Sequence, residues 1–163
     1  MGHDEEFTDW AGRCTPALLR RAHLLCGDRQ LAEDLVQETL VKMFLHWRRV
    51  DADGNPLGFA LTTLFRVFCS GRRRRSASEL PSETLLDRPA PVGSDPGLRL
   101  DLVAALQALT PKQRCVVVAR YVDDRPVAEV AALMHRTEGW VRVTAHRALL
   151  ALRDSPLMAM SDS

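Results

Sequence analysis

Cysteine is scarce and unpatterned in this chain. Cys14, Cys26, Cys69 and Cys115 form no CxxC and no tight cluster, so no disulfide framework is expected and a reducing compartment fits best. Aromatic residues are also few, 6% against 46% hydrophobic, which favours Leu/Val/Ala-packed helices over an aromatic-rich β core. No apolar run approaches the ~20 residues of a spanning helix, and no charged-then-apolar leader pattern opens the chain. It reads as a cytoplasmic protein with no membrane partner. No Ser/His/Asp set, paired carboxylates or phosphate loop is present, so no catalytic residue and no cofactor are expected. His23 and Cys26 have the spacing of half a zinc site, but no second pair completes it. Asp123 and Asp124 stand alone, so no metal site is expected. Net charge, +1, decides nothing about nucleic acid; its distribution must.

What is there divides into two lobes. Between 76 and 97 runs SASELPSETLLDRPAPVGSDPG, with four prolines and a net charge of −3, which destroys any helical period and reads as an extended acidic linker. Residues 1–75 and 98–153 carry helical periodicity throughout, and 154–163 reads as a flexible tail. The predicted fold is all-α: two small helical domains joined by a linker.

In the first lobe Thr15-Pro16 is expected to cap a helix carrying Leu18, Leu19, Ala22, Leu25 and Cys26 and stopped by Gly27, with a short helix before it around Phe7 and Trp10. Asp28 is expected to cap a long helix in which Leu31, Leu35, Thr39, Met43 and Trp47 recur four apart. The segment Val50–Pro56 is expected as a loop, and Asn55-Pro56 starts a third helix that runs into Arg72, Arg73, Arg74 and Arg75. In the second lobe Thr110-Pro111-Lys112-Gln113 is a capping box. Pro126–Met134 and Thr137–Leu152 then have helix-turn-helix character. Val141, Ala145, Ala148, Leu149 and Leu152 are expected inside. Glu138, Trp140, Arg142, Val143, Thr144, His146 and Arg147 are left for the outer surface, where a recognition helix meets a major groove. A plain helical hairpin with a solvated polar face is an equally good reading of that pair alone.

RQLAEDLVQETLVKMFLHW, 29–47, resembles region two of the extracytoplasmic-function sigma factors of bacterial RNA polymerase. ALQALTPKQRCVVVARYVDDRPVAEVAALMHRTEGWVRVTAHRALLALR, 105–153, resembles their region four. Both occur in the expected order, and the arrangement is similar to the sigma-E-type actinobacterial branch. The resemblance implies a non-enzymatic protein that binds core polymerase and directs promoter recognition, melting and initiation. It implies contacts with the β′ clamp helices and the β flap, with promoter DNA, and allows an anti-sigma inhibitor. The core-binding surface would be Asp34, Gln37, Glu38, Val41 and Lys42, with Glu33 peripheral and merely solvated. The minus-ten element would meet Asp51, Gly54, Asn55, Arg66 and Arg72–Arg75. The minus-thirty-five element would meet Arg136, Thr137, Glu138, Trp140, Arg142, Val143, Thr144, His146 and Arg147.

The second helix departs from the family pattern. His135 and Arg136 replace a glycine and an apolar residue in the turn, where glycine supplies positive φ cheaply. Val143, Thr144 and Ala145 replace serine, arginine and leucine, with Trp140 available to fill the gap or stack on DNA. Two alternatives stay open at this stage: a stand-alone helix-turn-helix regulator, and a sigma-like interaction module with a degenerate recognition helix.

Overall fold

The computed structural model describes residues 2–78 and 96–154, with side chains for all of these except 51–53, 72–78 and 96–101. The described residues form helices with no strand: α1 (His3–Cys26), α2 (Arg29–Leu45), α3 (Trp47–Asp53), α4 (Pro56–Ser78), α5 (Pro96–Gln107), α6 (Pro111–Val117), α7 (Val127–Met134) and α8 (Glu138–Arg153). The expected linker begins and ends inside helices, since α4 runs on to Ser78 and α5 opens at Pro96. The rest of that linker, and the tail beyond Asp154, lie outside the described residues.

The largest departure is at Pro16, which sits inside α1 and does not begin a helix. Proline removes one ladder bond and disfavours a helix interior by about 3 kcal/mol. Packing of the preceding turns outweighs that. Phe7 and Trp10 join Trp47 and Phe44 in an aromatic cluster with centroids 5.2–5.9 Å apart, and Trp10 and Trp47 are buried. Thr15 turns its hydroxyl back onto the Ala11 carbonyl at 2.6 Å, so it serves the helix interior and is no cap.

The other caps fall where the sequence puts them. Gly27 closes α1 at φ 71, with its N–H on the His23 carbonyl. Asp28 accepts from the Leu31 N–H at 2.9 Å. Asn55 accepts from the Gly58 N–H at 3.2 Å, with Pro56 opening α4. Thr110 and Gln113 exchange both bonds of a capping box. The expected loop Val50–Pro56 is mostly helical: α3 covers Trp47–Asp53, leaving Gly54, at φ 77, and Asn55 as the turn. Val50, fully buried, pins α3 to the core and explains why the segment coils.

The lobes share one continuous core. Buried residues from α1, α2 and α4 (Leu18, Leu25, Val36, Leu64, Phe65) and from α5–α8 (Leu106, Val116, Val130, Val141) belong to a single cluster. Polar contacts stitch the seam. Arg114 is 5% exposed. Its guanidinium donates to the Leu25 carbonyl at 2.6 Å, to Leu106 at 3.0 Å and to Leu109 at 3.0 Å. Leu25 lies in the last turn of α1, where free carbonyls and the negative end of the dipole favour a cation. Gln107 donates to the Leu24 carbonyl at 3.3 Å.

A π-helical turn, Val118–Val122, follows α6. Its extra residue per turn leads into Asp123 and Arg125, which grip the first lobe. Asp123 pairs with Arg21 on α1 at 2.6 Å. Arg125 donates to the Thr62 hydroxyl of α4 at 2.8 Å and lies 5.5 Å over the Phe65 ring.

Candidate functional site

Three surfaces carry the residues singled out by sequence. The first is the outer face of α2. Asp34, Gln37, Glu38, Val41 and Lys42 are all exposed and fall at the i, i+3, i+4, i+7, i+8 spacing of one helix stripe. Gln30 donates to Asp34 at 3.1 Å, holding the carboxylate along the helix. The stripe continues into apolar surface: Val41 is 57% and Leu45 70% exposed. An acidic and polar patch beside exposed apolar side chains is the composition of a protein-docking face. Glu33 is half-buried and pairs with Arg29 at 3.3 Å, at the margin of the stripe.

The second surface is a groove of about 350 Å³ between the end of α2 and α4, lined by Lys42, His46, Arg49, Phe59, Thr63 and Arg66 among others. It has the cations and the exposed aromatic that a nucleic-acid strand uses for phosphate and base. Arg66 was expected here. Arg49, His46 and Phe59 were missed: Phe59 lies two turns before Arg66 on α4 itself, and the packing of α2 and α3 against α4 brings His46 and Arg49 beside it. Gly54 and Asn55 are exposed at the α3–α4 turn. The Asn55 side-chain oxygen is taken by its capping bond. The side chains of Asp51 and Arg72–Arg75 lie outside the described residues; their backbone is helical, in α3 and α4.

The third surface is α8 with the turn before it. His135 adopts φ 55 and ψ 44. The Arg136 N–H then reaches the Ala131 carbonyl at 2.9 Å, a Schellman-type closure normally made by glycine. Thr137 caps α8 through the Trp140 N–H at 3.1 Å. Glu138, Arg142, Val143, His146 and Arg147 are exposed beside Arg136 and Thr137. Thr144 is a correction: it is buried, because positions 141, 144, 145 and 148 form the inward stripe, so it has no outer surface to offer DNA. Leu149, expected inside, is 42% exposed. Trp140 is half-buried against the core with the Arg136 guanidinium 5.1 Å over its ring, so it carries a cation outward.

These surfaces are not independent. Arg66 of α4 and Arg136 of the turn line one cavity of about 710 Å³, together with Lys112 and His135. Asp123, at the seam, has its carboxyl raised above the ordinary value, because burial outweighs the pull of Arg21 and Arg125. Among the described residues no group of three or more His, Cys, Asp or Glu is placed to hold a metal, and no helix is long and apolar enough to cross a membrane.

Comparison with known proteins fits this geometry. The chain matches the sigma-70 region 2 family over residues 11–78 and the sigma-70 region 4 family over 99–152. It is 31% identical to the RNA polymerase sigma-E factor of Streptomyces coelicolor, over 94% of this chain and 88% of that one. It is 35% identical to the sigma-E factor of Streptomyces avermitilis, with the same coverage. It is 34% identical to the ECF sigma factor SigF of Caulobacter vibrioides, covering 83% and 75%. The sigma factor RpoE of Bartonella quintana, solved in complex with the anti-sigma factor NepR, shares the fold. Its TM-score is 0.71 at 24% identity, covering 92% of this chain and 96% of that one. The chain belongs to the sigma-70 family, as an extracytoplasmic-function factor of the sigma-E type. Its function is promoter recognition and the start of transcription, and neither alternative left open by the sequence is favoured.

Proposed function

We propose that the α2 stripe Asp34, Gln37, Glu38, Val41 and Lys42 docks on the β′ clamp helices of core RNA polymerase, and that the second lobe contacts the β flap. The groove holding Arg49, Phe59 and Arg66 takes the melted minus-ten strand, with the α3–α4 turn at Gly54 and Asn55 forming the base pocket. Arg72–Arg75 extend the phosphate track. Arg136, Thr137, Glu138, Arg142, Val143, His146 and Arg147 face the minus-thirty-five duplex, and Trp140 supports Arg136 from behind. The protein acts in the cytoplasm by binding, with no catalytic residue and no cofactor, and an anti-sigma protein is a fitting inhibitor.

The observation that carries this reading is the exposed, mixed acidic and apolar α2 stripe, which a stand-alone DNA-binding regulator does not need. Run-off transcription with purified core polymerase and a genomic promoter library tests it. Specific transcripts that depend on the chain are expected. No transcripts together with no binding to core would overturn it.

A further inference from the structure

Cys69 on α4 and Cys115 on α6 come from different lobes, yet their sulfurs are 3.6 Å apart. A disulfide bond is about 2.05 Å long, so forming one would need the sulfurs to close the remaining gap by side-chain torsion and a small shift of the seam. The two thiols differ in access. Cys115 is fully buried. Cys69 is half-buried and lines the cavity of about 710 Å³ that also carries Arg66, Lys112, His135 and Arg136. A solvent-reached thiol beside cationic side chains is the reactive setting, whereas a buried one is inert until its neighbour reacts. Hydrogen bonding to Cys69 and then burial push the Cys115 thiol well up, which fits that division of roles. Cys26, half-buried at the end of α1, is near enough to act on Cys115 electrostatically, so it is the competing partner.

We infer that Cys69 is an oxidation site for hydroperoxides and that Cys115 resolves it into a disulfide joining the two lobes. In the first step the Cys69 sulfur attacks one peroxide oxygen. The O–O bond breaks, an alcohol or water leaves, and Cys69 becomes a sulfenic acid. In the second, the Cys115 sulfur attacks the Cys69 sulfur. The S–O bond breaks, and hydroxide leaves and takes the Cys115 proton as water. Two thiols are oxidised by two electrons and one peroxide is reduced; thiol–disulfide exchange with a dithiol reverses it.

The bond fastens α4 to α6, so the lobes cannot part and Arg66 and Arg136 stay on one cavity. That consequence for transcription rests on the polymerase and promoter reading above; the chemistry does not.

The full chain, reduced and then titrated with hydrogen peroxide, is alkylated, digested and mapped by mass spectrometry. The expected product is an intramolecular Cys69–Cys115 disulfide in the monomer, removed by dithiothreitol and lost in Cys69→Ala and in Cys115→Ala. In Cys115→Ala a sulfenic-acid trap should label position 69. Because Cys115 is fully buried, Cys69→Ala is the safer variant for comparing folded proteins. Oxidised protein should bind core polymerase about tenfold or more weaker, with Cys69→Ala binding equally with and without peroxide. A dominant Cys26–Cys115 bond, no intramolecular bond, or sulfenic acid trapped at Cys115 overturns the site. A Cys69–Cys115 bond with unchanged affinity overturns the lock. Reduced protein that never binds polymerase counts against the polymerase reading and leaves the mapped bond standing.

Discussion

His135 holds a left-handed conformation that L side chains adopt at a cost of roughly 1–2 kcal/mol. Its side chain is exposed. His135→Gly should therefore stabilise the protein by about 1 kcal/mol, after the entropy that glycine adds to the unfolded chain. Urea denaturation measures it, and a loss of stability would show that the imidazole supports the turn. Asp123 gives a pH dependence. Burial raises its carboxyl above the ordinary value of 3.8 against Arg21 and Arg125. A carboxyl whose folded value lies above its unfolded one strengthens folding when protonated. That contribution should grow as pH falls through the raised value and be complete below 3.8. Asp123→Asn should flatten this part of the stability profile, measured as denaturation midpoints across acid pH. At this scale the sequence was legible where chemistry is local: the caps at Asp28, Asn55 and Thr110 need only their own turn. The roles of Arg114, Arg21 and Arg125 across the seam were not, since the partners that matter there, Leu25, Asp123 and Thr62, lie in the other lobe and no local spacing reports them.

Element by element, the period of apolar residues placed α2, α4, α7 and α8 well. It failed where packing overrode a local signal. Pro16 reads as a helix start until the Phe7–Trp10–Trp47 cluster is known, and 50–56 reads as a loop until Val50 is seen in the core. The inward stripe of α8 holds Val141, Ala145 and Ala148 as expected but takes in Thr144 and leaves Leu149 exposed. The α2 stripe is a testable element in itself, because its members touch solvent and not the core. Asp34→Arg with Glu38→Arg should abolish binding to core polymerase while circular dichroism keeps its helical signal. Unimpaired binding would mean the docking face lies elsewhere. Exposed substitutions of this kind usually shift stability by no more than about 0.5 kcal/mol, so misfolding is not the expected cause of a loss.

At the scale of the molecule, the lobes read from sequence as separate are joined through a shared core and a polar seam. No property of either lobe alone announces this. Gly27 provides a test of the joint. A Cβ there would lie 2.3 Å from Gln107 Cδ of the other lobe, and its φ of 71 also strains any side chain. Gly27→Ala should destabilise the chain by about 1–2 kcal/mol from backbone strain, plus a share from displacing Gln107 and its bond to Leu24. In a Gln107→Ala background that second share should vanish. A double-mutant cycle by urea denaturation reads the difference as coupling between lobes, and strict additivity would show that the seam does not close on Gln107.

On the polymerase reading proposed above, the placing of Arg66 and Arg136 on one cavity also bears on how the protein answers to its own abundance. A partner that accepts only the parted lobes meets an affinity divided by the parted fraction; a chain parted one time in a hundred binds roughly a hundredfold weaker. Arg114, Asp123 and Gln107 lie at the seam, away from the surfaces proposed for the partners, and tie one lobe to the other, so they would set that fraction. For a partner of that kind they would act as a gain control: a conservative change at any of them should shift the concentration at which promoters fire while leaving unchanged which promoters are chosen.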